Sequence, residues 1–209
     1  SIGNSAFSGC SGLTSLTMPI DIKVTKYTFY DCTNLTSVVL TKGQTGVGAS
    51  YSSSYGDYQY TPWYQSRSNE ISVTIEEGVT SIGYSAFQGC AGLTSVTMPI
   101  DIKVTEYTFY DCTNLTSVVL TKGQTGVGAS YSSSYGDYQY TPWYQSRSNE
   151  ISVTIEEGVR SIGNYAFYGC EGLTSVTIGD SVTYISDYAF YNCSGLTSVT
   201  IPDSVTSIG

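Results

Sequence analysis

The stretch Ser81-Ile82-Gly83-Tyr84-Ser85-Ala86-Phe87-Gln88-Gly89-Cys90-Ala91-Gly92-Leu93-Thr94-Ser95-Val96-Thr97-Met98 couples two apolar periods. Its first part places Ile82, Ala86, Phe87, Cys90 and Leu93 at steps of four, one, three and three, which suits a short helical or 3-10 turn facing inward. Its last part alternates Val96 and Met98 with Ser95 and Thr97, as a half-buried strand requires. The same pattern closes the chain, from Tyr184-Ile185 through Tyr188-Ala189-Phe190-Tyr191-Asn192-Cys193 to Ser198-Val199-Thr200-Ile201. Leu16, Val38, Val73, Val96, Val118, Val153, Val176 and Val199 mark eight such strands, separated by 22, 35, 23, 22, 35, 23 and 23 residues. A period of 22–23 holds one strand, a turn, a return segment and a second turn, so successive strands must run parallel. The expected architecture is a right-handed solenoid of about eight coils. One face is a parallel β-sheet, and the other, convex face carries short helical or 3-10 turns.

A larger repeat overlies the coils. Residues 1–80 and 81–160 differ only at positions 4, 8, 11, 16, 26 and 80, and 161–209 opens the pattern a third time. Residues 1–209 therefore read as a single solenoid. Ser1-Ile2-Gly3 matches Ser81-Ile82-Gly83 and Ser161-Ile162-Gly163, and Ser207-Ile208-Gly209 stops at the same phase. This phasing predicts a fragment of a longer array, whose apolar end coils would associate head to tail.

Eight Lys and Arg against 17 Asp and Glu give a net charge of -9, which disfavours nucleic acid and anionic membrane surfaces. No apolar run approaches the roughly 18 residues of a membrane span. The chain has no His, so the usual base for a Ser or Cys nucleophile and the commonest transition-metal ligand are both missing. Glu76-Glu77 and Glu156-Glu157 are neighbours in a turn after a strand, and they read as solvated rather than as a pair flanking a scissile bond. Gly43-Gln44-Thr45-Gly46-Val47-Gly48 lacks the Lys and following helix of a phosphate loop, and reads as a hinge. No catalytic residue, metal site or cofactor is expected.

Cys10, Cys32, Cys90, Cys112, Cys170 and Cys193 recur once per regular coil inside an apolar frame. They read as free core thiols, with bridges Cys10–Cys32, Cys90–Cys112 and Cys170–Cys193 as the alternative. Phe87, Cys90, Phe167, Cys170, Phe190 and Cys193 are core candidates on the same grounds. Two residues after each Cys stands Gly12, Asn34, Gly92, Asn114, Gly172 or Gly195, which predicts a left-handed turn into the strand. Along the strands, Ser15, Ser37, Ser72, Ser95, Ser117 and Ser152 begin an outward row that offers little to recognise.

Two of the strand spacings are 35, so each of those coils carries about twelve extra residues and lacks the Ala-Phe-x-x-Cys block. The insertions span about 43–70 and 123–150. Counting nine residues back from the strand puts Tyr64 where Phe167 stands before Val176, so Trp63, Tyr64, Trp143 and Tyr144 are expected to plug the core. The tips carry Tyr51, Tyr55, Tyr58 and Tyr60, repeated as Tyr131, Tyr135, Tyr138 and Tyr140, among Ser and Gly. Stiff amphipathic rings on a rigid scaffold suit a binding surface. A second reading folds these rings back on the return side.

The pattern Ile-Gly-x-x-Ala-Phe-x-x-Cys-x-Gly-Leu-Thr-Ser-Val-Thr-Ile-Pro, seen around Cys90 and Cys193, resembles the BspA-like leucine-rich repeats of bacterial surface antigens. Thr28 and Thr108 stand where the pattern has Ala. The resemblance implies a leucine-rich-repeat solenoid on the outside of a bacterial cell, part of a larger secreted protein. Its implied role is adhesion to a protein or glycan on host or neighbouring cells, with a stalk that presents another domain as the alternative.

Overall fold

The computed structural model describes residues 1–25, 27–48, 61–105, 107–125, 128 and 141–209. Among them the strands are β1 (Ser15–Pro19), β2 (Ser37–Thr41), β3 (Ile71–Ile75), β4 (Leu93–Pro99), β5 (Ser117–Thr121), β6 (Ile151–Ile155), β7 (Ser161–Ile162), β8 (Leu173–Ile178), β9 (Tyr184–Ile185) and β10 (Ser207–Ile208). A main parallel sheet runs β1-β2-β3-β4-β5-β6-β8, in chain order. The dipeptides Ser161-Ile162, Tyr184-Ile185 and Ser207-Ile208 form a second, short parallel ladder, β10-β9-β7, and Val47, Ser81 and Lys103 make isolated parallel bridges. A 3-10 helix, Tyr64–Ser66, lies on the return side.

Register follows the repeat. Leu16, Val38, Val73, Val96, Val118, Val153 and Val176 pair in one row, and the Ser row from Ser15 to Ser175 pairs beside it. Val38, Val73, Val96, Val118 and Val153 are buried, while the Ser positions face outward. The sheet has seven strands rather than the expected eight. The stretch around Val199 forms no strand, and Val199 and Ile201 are 44% and 39% exposed.

Behind the sheet the interior is a set of columns. Phe87 stacks between Trp63 and Phe109 at 4.8 and 5.3 Å, and Phe167 between Trp143 and Phe190 at 4.9 and 5.3 Å. Such pairs add about 0.5–1.5 kcal/mol beyond the area they bury. Beside them run the cysteines, all free. The thiols of Cys32, Cys112 and Cys193 donate to the carbonyls of Phe7, Phe87 and Phe167 in the preceding coil, at 3.1–3.2 Å. Where Thr28 and Thr108 replace Ala they are fully buried, and each hydroxyl accepts the N–H of the Thr three residues earlier.

The insertion coils keep these columns with other residues. Trp63, 1% exposed, occupies the Phe slot and donates its indole N–H to the Ala86 carbonyl at 2.7 Å; Trp143 does the same to Ala166 at 2.8 Å. Tyr64 and Tyr144 stand one residue further out, half-buried, beneath the guanidinium groups of Arg67 and Arg147. Trp63 precedes its strand Val by ten residues where Phe87 precedes Val96 by nine, so counting back from the strand is off by one. Three residues after each Trp, buried Ser66 and Ser146 take the Cys slot. Each hydroxyl donates to the carbonyl of Cys32 or Cys112 and accepts from the N–H of Leu35 or Leu115, all at 2.9 Å. Relative to the regular coil, the insertion coil gains two residues between Trp63 and Ile71 and gives one back at the strand entrance, where Thr94 is the extra residue opposite the Ile71–Ser72 step; the same register shift recurs between Ile151 and Ser152.

The left-handed residues are not those two places after Cys. They are the ones immediately before it, Gly9, Asp31, Gly89, Asp111, Gly169 and Asn192, with φ between 57° and 77°, and, earlier in the return segment, Ser5, Ser85, Tyr165 and Tyr188 at 57–58°. Gly and Asn at the later position serve the contact between coils. A Cβ on Gly92 would come within 1.7 Å of the Asn69 carbonyl oxygen. Asn34 and Asn114 instead donate their side-chain amides to the carbonyls of Ser11 and Ala91 at 2.7 Å.

Truncating Trp63 to Ala removes a stacked ring and orphans the Ala86 carbonyl, so a loss of about 3–5 kcal/mol is expected in urea titration. The thiols give a second test. Burial pushes Cys90 up to about 12 and Cys193 up to about 11, from an ordinary value of 9.0. Unfolded chain releases these protons first, so stability should fall as pH rises from 9.0 toward 12, and Cys90→Ala should flatten that fall in urea midpoints. In the native protein at neutral pH, iodoacetamide should label exposed Cys10 and spare Cys32, Cys90 and Cys112.

Candidate interaction surface

All eight tip tyrosines, Tyr51, Tyr55, Tyr58, Tyr60, Tyr131, Tyr135, Tyr138 and Tyr140, lie outside the described residues. The roots of both insertions are described. The Gly43–Gly48 run, expected as a hinge, is instead pinned. Asp21 accepts from the backbone N–H of Gln44 and Thr45 and from the Thr45 hydroxyl at 2.9, 3.0 and 3.2 Å. The Thr45 backbone bond leads in holding the Asp21 carboxyl below its ordinary range. Asp101 binds Thr125 in the same way, with both bonds at 2.9 Å. Gly43 and Gly46 supply the positive φ this turn needs, 62° and 66°.

The exit point is fixed by register. Val47 pairs with Ser81, and the Gly48 N–H donates to the Ser81 carbonyl at 2.9 Å, which sets Gly48 beside Ile82. Gly48 must be Gly, since a Cβ there would lie 2.3 Å from the Gly83 nitrogen. Trp63 fills the slot of Phe87, so Thr61 is level with Ser85. A regular coil joins Ile82 to Ser85 through Gly83 and Tyr84, and Gly48 and Thr61 are the described residues that flank that point in the insertion coil. Gly128, bonded to the Ser161 carbonyl at 2.9 Å, and Thr141 repeat the arrangement.

That junction opens onto a feature missed from the sequence, an exposed tyrosine array. Each inward Phe of the motif is flanked by outward positions, and in four coils both are Tyr: Tyr27 and Tyr30, Tyr107 and Tyr110, Tyr165 and Tyr168, Tyr188 and Tyr191. Rings on successive coils stack, Tyr165 on Tyr188 at 5.1 Å and Tyr168 on Tyr191 at 5.0 Å. Rings within a coil are tilted, by 52° for Tyr165 and Tyr168 and 69° for Tyr188 and Tyr191. Tyr84 joins Tyr107 at 5.1 Å, and Tyr107 joins Tyr110 at 5.8 Å. Tyr188 and Tyr191 are about half exposed. The recurrence of Tyr-x-Phe-Tyr at the coil period was the available signal.

The two Glu pairs sit in turns, as expected of solvated residues, but Glu157 also ties coils together. It accepts from the Ser181 hydroxyl and the Asp180 N–H, each at 2.8 Å, and these bonds lower its pKa. Among the described residues no cluster of three His, Cys, Asp or Glu could hold a metal ion, and no helix is long and apolar enough to cross a membrane.

Comparison with known proteins agrees with the geometry. The BspA type leucine rich repeat region matches residues 1–55, 63–135 and 142–209, in six copies. The chain belongs to this family, and the fold is a leucine-rich-repeat solenoid. Among solved structures, a leucine-rich repeat protein from Eubacterium ventriosum is 16% identical with a TM-score of 0.50, covering 93% of this chain and 56% of that one. A leucine rich cell surface protein from Faecalibacterium prausnitzii is 23% identical, with a TM-score of 0.37, covering 94% of this chain and 44% of that one. The chain thus spans about half the length of these two proteins. No curated protein matches the sequence.

Proposed function

We propose that this chain is a non-catalytic interaction module on a bacterial cell surface, which adheres to a protein or glycan of host or neighbouring cells through its aromatic return side. The observation that carries this reading is convergence. The described ends of both Tyr-rich insertions, Gly48 with Thr61 and Gly128 with Thr141, flank the same slot of the coil, next to the exposed tyrosine array. Membership in a repeat family of surface proteins supports the location. Two equivalent insertions 80 residues apart on one rigid stack would engage a multivalent partner together, raising avidity without new contacts. The absence of His and the engagement of the Asp21, Asp101 and Glu157 carboxylates in bonds between adjacent coils support a binding role over catalysis.

The plain outward Ser row of the sheet favours a second reading, a stalk that presents another domain. Flow cytometry of fluorescently labelled chain on epithelial and bacterial cells separates the two. Replacing Tyr51, Tyr55, Tyr58 and Tyr60 with Ala, together with Tyr131, Tyr135, Tyr138 and Tyr140, should reduce cell binding at least tenfold. A stalk would bind neither before nor after the change.

A further inference from the structure

We infer that the return face carries an ordered glycan platform, in which Tyr165, Tyr168, Tyr188 and Tyr191 receive an uncharged saccharide chain lying along the solenoid axis. The inference rests on the reading of the chain as an interaction module, and it assigns a ligand class and a site outside the insertions.

Ring orientation is the first argument. Successive coils repeat by translation along the axis, and both Tyr columns keep their rings nearly parallel from coil to coil, within 11° and 13°. The columns are tilted against each other by 52° and 69°. Ring normals so inclined to each other cannot both lie along the axis. At least one column therefore leans its rings out of the stack and shows part of each face; in coils with neighbours on both sides the matching Tyr30 and Tyr110 are 43% and 42% exposed.

Chemistry is the second argument. An aromatic face packs against the C–H bonds of a sugar ring, while phenol hydroxyls and neighbouring polar side chains bond its hydroxyls. Exposed Asp187 and Asn192 flank Tyr188 and Tyr191 in the chain, and Asn192 is held in the left-handed conformation at φ 57°. Residues 164–171 and 184–195 contain no Lys or Arg but do contain Glu171 and Asp187. An anionic glycan would meet only repulsion there, so the fitting ligand is neutral.

Period is the third. The two coils set their stacked rings 5.0–5.1 Å apart, about the length of one sugar ring, so two neighbouring units of an extended chain meet these two coils. A protein hot spot needs a desolvated pocket that closes around an anchor. This shallow, repeating surface suits a thin repeating ligand.

The test is an array of neutral and acidic oligosaccharides probed with the full chain, with each hit titrated calorimetrically. Neutral glycans alone should bind. The double change Tyr188→Ala and Tyr191→Ala should weaken Kd at least tenfold, the corresponding Phe changes less, and the tip-tyrosine changes not at all. Should the Ala variant melt early, saturation-transfer NMR on the unaltered chain must show transfer from tyrosine rings to sugar C–H protons. No hit, hits confined to acidic glycans, or binding indifferent to the platform would overturn the inference. Cell binding that persists with a blank array would leave the interaction module standing and remove only the glycan, whereas loss of all cell binding would remove the module.

Discussion

Every coil must lie on its predecessor at the spacing of a parallel β-ladder, about 4.8 Å. A side chain pointing inward therefore meets its own counterpart above and below, and only groups that tolerate a copy of themselves at that distance can occupy a column. Aliphatic residues do so in the Val row of the sheet. Flat rings do so by stacking at 4.8–5.3 Å. Thiols do so by donating to the carbonyl of the coil before. A column of like charges would repel itself, which accounts for an interior of Val, Ile, Phe and Cys in a chain only 12% charged.

The insertion coils show how much freedom that constraint leaves. The columns are kept while the residues change: Trp replaces Phe, a bonded Ser hydroxyl replaces the thiol, and a register shift at Ile71 offsets one of the two residues added before the strand. The cost of closing a longer loop grows only slowly with its length. The coil therefore needs firm ends more than a short path, and Asp21 with Thr45, and Gly48 with Ser81, supply one of them. Trp63 against Ala86 supplies the other.

Much of the architecture is legible in the residues. Alternation in Ser-Val-Thr-Met and the 22–23 spacing locate seven strands and their parallel order, because period two and a constant coil length leave one solution. Single positions are harder to read. Asn34 tolerates positive φ, but its amide is needed by the Ser11 carbonyl, and the left-handed turn falls on Asp31 instead. Counting from the strand sets Tyr64 in the Phe slot, although Trp63 to Ser66 repeats the spacing of Phe87 to Cys90. The outward tyrosines escape notice because each coil carries only two, and they make a surface only once coils are superposed. The tip tyrosines of the insertions remain an expectation of the sequence.

The joint between residues 1–80 and 81–160 is built like the joint between 81–160 and 161–209. Trp63 reaches Ala86 as Trp143 reaches Ala166, and Gly48 reaches Ser81 as Gly128 reaches Ser161. Recombination out of phase between such blocks would add or remove a whole block while creating no junction the protein does not already contain. The number of coils, and with it the reach of the array, then changes in steps of one block with no new packing to be found.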